Sequence, residues 1–198
     1  MNVRISKEYS LLTSIYYADN ILNNYYSISL GMLTNTESNK EQNIAVGRIN
    51  SYFQDIIQSG VFIEEKEKEQ IHQLHNAGIK TIILPEQPFD QIIATMLFCK
   101  LNAICEDRLL VTDITVTSSA GDGVRYIFDA EDAFGEFSND GWWNDPNPSW
   151  CEHTKDNPSG KVIKMDRKLT WKDIDLEWEE TIPVTDNVVK GNFNKSDD

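Results

Sequence analysis

Residues 80–129, KTIILPEQPFDQIIATMLFCKLNAICEDRLLVTDITVTSSAGDGVRYIFD, hold the densest apolar pattern of the 198-residue chain and decide its fold class. Lys80 to Leu84 is a short β-branched run stopped by Pro85, the composition of a minimal strand. Pro88 fits the first turn of a helix, where its missing N–H would be an orphan in any case. Phe89, Ile92, Ile93, Met96, Leu97, Leu101 and Ile104 then recur at three- and four-residue steps and share a helix face. Phe98, Cys99 and Ala103 widen that stripe, and a helix so apolar is packed on more than one side. The helix over 88–105 is therefore expected at the centre of the core. Leu109 to Val111 opens a strand without alternation, after which Ile114 and Val116 alternate with Asp113, Thr115 and Thr117. Asp122-Gly123 between two strand-like runs is a hairpin signal. On the return strand Val124, Tyr126 and Phe128 face inward and Arg125 falls opposite.

Working outward towards the N-terminus, helical spacing predicts three helices before the first strand. The first is capped by Ser6 and lined by Leu11, Leu12, Ile15, Ala18, Leu22, Tyr25 and Tyr26; Gly31 and the polar run 34–39 end it. The second covers 40–58, with Ala45, Val46, Ile49, Tyr52, Phe53, Ile56 and Ile57 at helical steps. The third covers 64–76, with Phe62 and Ile63 as a staple and Gly78 as its stop. Towards the C-terminus, 126–154 lacks regular periodicity and contains no Lys or Arg. Residues 161–165 alternate as an edge strand guarded by Lys161 and Lys164. Thr170 with Asp173 forms a capping pair around Trp171, with Leu176 and Trp178 docking the turn.

The architecture these elements imply is α+β: N-terminal helices, then the 88–105 helix packed on a small mixed or antiparallel sheet containing a β-hairpin, then an irregular acidic-aromatic loop region. Strands 80–84 and 108–118, if adjacent and parallel, make the connecting helix a right-handed crossover. One domain over 1–182 is expected, helical over 1–79 and sheet-containing over 80–182, followed by a flexible polar tail over 183–198. A second copy of the chain could complete so small a sheet.

The net charge of −14 argues against binding to a nucleic-acid backbone or an anionic membrane, both of which reward Lys and Arg. It is unevenly spread, at −3 over 1–100 and −11 over 101–198. Three cysteines, Cys99, Cys105 and Cys151, show no paired spacing, which suits a reduced, cytoplasmic protein. No apolar run has the length of a membrane span, and the N-terminus lacks the pattern of a signal peptide.

The leading functional element is the acidic-aromatic stretch. Asp129, Glu131, Asp132, Glu136, Asp140 and Asp145 are interleaved with Trp142, Trp143 and Trp150. Indoles supply contact area at low entropic cost, and a ring of carboxylates steers a basic partner. The bland alternative is that the tryptophans plug the open end of the sheet while the acids are merely solvated. A weaker candidate is a metal site built from His72 and His75, spaced i, i+3, with Cys151 and His153; these are zinc-type ligands without a zinc-type spacing. Calcium is disfavoured because no glycine falls at the sixth loop position. The phosphate-loop, dinucleotide and nucleophile-elbow motifs are absent, and no cofactor is expected.

The function expected from these residues is that of a binding or inhibitor protein, its acidic, aromatic surface docking a basic protein such as a toxin or a nucleic-acid-binding protein. Immunity proteins and anti-defence nucleic-acid mimics are of that physical type. The rivals are a metal-dependent or nucleotide-handling enzyme using Cys151 or His153 with the loop carboxylates, and a structural component of a larger assembly, viral ones included.

Overall fold

The structure is a computed structural model that describes residues 3–129, 131, 134–149, 152 and 170–178. Alternation, not helical spacing, governs the N-terminal segment. Tyr9, Leu11, Thr13 and Ile15 are buried while Ser10 and Leu12 between them are exposed. Strand β1 (Arg4–Tyr17) pairs antiparallel with β2 (Asn20–Thr34) along their whole length. The predicted first helix is thus a long hairpin. Its supposed helical stripe mixes both faces of a strand pair: Leu11, Ile15 and Tyr26 point inward, whereas Leu12 and Tyr25 are half exposed. The turn is Ala18-Asp19, both at positive φ (48° and 61°), the mirror-image turn that matches strand twist.

Helix α1 (Asn39–Ser51) starts where the Ser38 hydroxyl accepts from the Glu41 N–H, and runs into a π-helical turn, Tyr52–Ile57. The predicted third helix is shorter than expected, because Val61–Glu64 forms β3 and only Lys68–Asn76 forms α2. Phe62 and Ile63 are accordingly strand residues, not a staple. Strand β4 (Thr81–Leu84), α3 (Asp90–Cys105), β5 (Leu109–Ser118) and β6 (Arg125–Asp129) follow the sequence reading closely.

The six strands form one mixed sheet in the order β4-β3-β1-β2-β5-β6. The pairs β4–β3 and β3–β1 are parallel; β1–β2, β2–β5 and β5–β6 are antiparallel. With three α-helices among the described residues on such a sheet, the fold class is α+β. Strands β4 and β5 are not neighbours: β3 and the N-terminal hairpin stand between them, and α3 carries the chain across. At Gly31 the β2–β5 register shifts, and a Cβ there would run into the Asp113 carboxylate.

Helices α1 and α3 cover the inner sheet face, and the main core lies there: Ile28, Leu30 and Met32 from β2, Ile49 and Phe53, Met96, Leu97 and Leu101, and Val111, Ile114 and Val116. A second, smaller core forms on the outer face under α2 from Tyr16, Val61, Ile63 and Leu74. The rest of the outer face is open, with Leu12, Tyr25 and Ile127 exposed. Among the described residues no helix is long and apolar enough to cross a membrane. The predicted strand over 161–165 and the tail over 183–198 lie outside the described residues.

Candidate functional site

The acidic-aromatic stretch divides by side-chain type. Asp129, Glu131, Glu136 and Asp140 are exposed and Asp145 is half-buried. Trp142 and Trp143, expected to face outward, are buried in the main core. Each indole N–H is spent inside the protein, Trp142 donating to the Ile83 carbonyl (2.9 Å) and Trp143 to the Phe137 carbonyl (3.1 Å). Trp143 packs edge-on against Phe137 at 4.9 Å. The aromatic half of the expected docking face is therefore core, because burying two indoles with satisfied N–H groups is far more favourable than hydrating them. Asp132 and Trp150 lie outside the described residues.

Two buried cations lock the C-terminal segments to the helices. The Lys100 ammonium, in the middle of α3, donates to the carbonyls of Trp142, Asp145 and Asn147 at 2.9–3.0 Å and pairs with the buried Glu152 carboxylate at 3.3 Å. Burial pushes the Glu152 carboxyl up to about 7 against the pull of Lys100, and lowers Lys100 from its usual value. Glu152 also pairs through its backbone with β4, accepting from Ile83 and donating to Thr81. Arg48 of α1 is sandwiched between Trp171 and Trp178, its guanidinium 4.9 Å and 3.8 Å from the ring centroids. Arg48 also donates to the Leu176 and Ile104 carbonyls and to Glu106. The Thr170–Asp173 capping box is formed as its spacing suggests. All these polar groups have partners, and their role is to hold structure.

A different cluster has unspent bonding capacity. Four buried side-chain polar atoms among the described residues make no well-formed hydrogen bond, and three of them sit together: Thr13 Oγ1, with Asn24 Nδ2 and Tyr26 Oη, which face each other. Thr13 and Asn24 are directly opposed on β1 and β2, and Tyr26 lies two residues along the same face. All three are 1% exposed. Beside them the Asp90 carboxylate, at the start of α3, accepts from the Ser118 hydroxyl at 2.7 Å. Burial raises the Asp90 pKa, and the Tyr26 hydroxyl feels that carboxylate. The chain after β5 closes the side: Asn24 Oδ1 accepts from the Ser119 hydroxyl (2.7 Å) and the Ala120 N–H (2.9 Å). Gly121 passes so close that a Cβ would stand 2.7 Å from the Asp90 carboxylate. At the same end Leu22 is exposed, and the exposed rings of Tyr17 and Phe89 meet at 6.0 Å, tilted 57° to each other.

A buried carboxylate with convergent donors and acceptors supplies the kind of polar groups that orient a small molecule. Sequence reading missed it because Thr13, Asn24 and Tyr26 come together only once 6–31 is a hairpin. The one available signal was Asp90 ahead of an otherwise apolar helix. As for the metal candidates, His72 is exposed and His75 bonds the Thr81 hydroxyl at 2.6 Å. No group of three or more His, Cys, Asp or Glu among the described residues is placed to hold a metal, and Cys151 and His153 lie outside them.

No protein-family model and no curated protein matches the chain. Among solved structures it is similar to an uncharacterized protein from Wolinella succinogenes, with 9% identity and a TM-score of 0.48, over 66% of this chain and 99% of that one. It is also similar to a catalytic-residue mutant of Plasmodium vivax 6-pyruvoyltetrahydropterin synthase, with 9% identity and a TM-score of 0.41, over 65% of this chain and 97% of that one. At these scores neither likeness bears on what this chain does.

Proposed function

We propose that the chain binds a small polar molecule at the hairpin end of the inner sheet face. One observation carries this reading: among the described residues, Thr13, Asn24 and Tyr26 bring three of the four buried polar atoms without a well-formed hydrogen bond beside the buried Asp90 carboxylate, under an exposed aromatic rim. Buried polar groups are rarely left unpaired, and each such group asks what satisfies it. Asp90 accepts from an N–H or O–H, Asn24 Nδ2 donates to a carbonyl or ring nitrogen, and Thr13 and Tyr26 do either. Tyr17 and Phe89 offer flat contact to an aromatic body. The free thiols Cys99 and Cys105 suit a reducing, cytoplasmic setting for it. The test is a thermal-shift screen of aromatic amides, amidines and amino-heterocycles against the wild type, Asp90→Asn and Asn24→Leu. Hits that stabilise the wild type and lose their effect in both variants support the site. An empty screen, or hits indifferent to both substitutions, removes it.

A second reading rests on the exposure of Asp129, Glu131, Glu136 and Asp140 on the strand-to-loop segment. In it these carboxylates dock a basic protein surface, as an inhibitor or immunity protein would, without the contribution of Trp142 and Trp143. Charge reversal at Asp129, Glu131 and Glu136 then abolishes salt-dependent retention of a basic partner while the circular dichroism spectrum is unchanged. Retention that survives the reversal rules this reading out.

A further inference from the structure

Residues 170–178 are held by the rest of the described protein as a peptide is held by a receptor. Their backbone-to-backbone hydrogen bonds to described residues are all internal: the N–H groups of Asp173, Asp175 and Leu176 donate to the carbonyls of Thr170, Lys172 and Trp171. The Thr170–Asp173 capping box closes the turn from within, so local sequence sets its shape. Attachment runs through one face of side chains. Trp171 is buried, and Ile174, Leu176 and Trp178 are half-buried against the main core. Lys172, Asp173, Asp175 and Glu177 between them are exposed.

The socket that receives this face centres on Arg48 of α1. Its guanidinium lies 3.8 Å from the Trp178 ring centroid and 4.9 Å from that of Trp171, and its Nε donates to the Leu176 carbonyl at 2.8 Å. Arg108 stands 4.6 Å from the Trp178 centroid. The Trp178 indole N–H donates to the Glu106 carboxylate at 2.8 Å, and that of Trp171 to the Pro146 carbonyl at 2.6 Å. Leu176 lies over Gly47, where an added Cβ would come 2.7 Å from the leucine side chain. Arg48 is fixed independently of the segment, by Glu106 at 2.7 Å and the Ile104 carbonyl at 3.1 Å, so the socket is preorganised.

We propose that this socket is a peptide-binding site, filled by the chain's own residues 170–178, and that it fits a partner protein presenting the same face, Trp-x-x-Ile-x-Leu-x-Trp. Tryptophan and arginine dominate the energetics of protein interfaces, and here two indoles meet an arginine already held in place. The exposed positions of the segment leave the partner free in sequence there, while Gly47 demands leucine or a side chain no larger at the sixth position of the pattern.

The test uses the full chain carrying Trp171→Ala and Trp178→Ala, which keeps the socket and weakens its resident. A fluorescein-labelled peptide of residues 170–178 is titrated against this variant and the wild type, read by fluorescence anisotropy. The wild-type segment, being tethered, competes at an effective concentration on the order of millimolar, so the peptide is expected to bind the variant more than about tenfold tighter. Adding Arg108→Ala to the variant, or replacing both tryptophans of the peptide by alanine, weakens that binding. Circular dichroism checks the fold. A folded variant that takes up no peptide at about 1 mM overturns the proposal, as does equal binding by the wild type. A variant that does not fold shows that 170–178 is core and not ligand, and overturns it as well. Hydrogen exchange of the wild type gives an independent reading: the amides of Asp173, Asp175 and Leu176 are expected to exchange by local opening, before those of β1 and β2. Exchange only through global unfolding sinks the idea.

Discussion

Among the described residues, Glu152 is the acid whose chemistry departs furthest from that of a solvated carboxyl. It lies between Lys100 and the buried Tyr52 hydroxyl, and its carboxyl is pushed up to about 7 from the ordinary 4.5. A carboxyl with a raised folded-state pKa binds more protons folded than unfolded, so its contribution to stability is full below the unfolded value and is lost as pH rises through the folded one. We expect the stability contributed by this group to fall as pH climbs across that window. Denaturant titrations at both ends of the window check it, and Glu152→Gln should make the difference smaller than in the wild type. Removing the other partner is harsher: Lys100→Met leaves a buried carboxylate and three carbonyls without their cation. The expected cost is about 3–5 kcal/mol, read from the urea midpoint. Tyr26→Phe should change stability by no more than about 1 kcal/mol, since the hydroxyl it deletes makes no well-formed hydrogen bond beyond its approach to Asn24. Under the proposed function the same change weakens ligand binding. A strongly destabilised variant would mean that the hydroxyl already has a partner.

At the scale of elements, the N-terminal hairpin has the clearest unspent stability. Ala18 holds φ at 48°, a region that side chains with a Cβ avoid and that Asn tolerates. Ala18→Asn should raise stability by roughly 0.5–1 kcal/mol, measured by thermal melts. This hairpin is also where sequence reading failed, and the cause is specific. Leu11, Leu12, Ile15, Ala18 and Leu22 satisfy helical spacing, yet Tyr9, Leu11, Thr13 and Ile15 satisfy strand alternation equally well. Spacing alone does not choose between the two; the Thr and Tyr content should have weighed towards strand, and the Asn content against a helix. Helices α1 and α3 were legible because their apolar positions fit a single period over three or more turns. The start of α2 was misplaced because Val61–Glu64 is too short to show a period of its own.

Over the whole molecule, a charge of −14 on one chain repels itself. Raising ionic strength from about 0.01 M to about 0.15 M shortens the reach of that repulsion from roughly 30 Å to roughly 8 Å. The melting temperature should rise by several degrees, and an unchanged value would show that local ion pairs such as Arg48–Glu106 offset the net charge. Composition and periodicity by themselves determined the acidity, the α+β class and the elements from Thr81 to Asp129, since those depend on local spacing and on sums over residues. Tertiary structure alone decided that Trp142 and Trp143 are core and that β3 and the hairpin stand between β4 and β5. It alone also brought Thr13, Asn24 and Tyr26 beside Asp90, across more than sixty residues of chain. The physical reason is common to all three: where a side chain buries its area, and which strand pairs with which, is set by competition among distant segments for the same sheet edge and the same core. A linear pattern records which residues want burial, and not which of them win it.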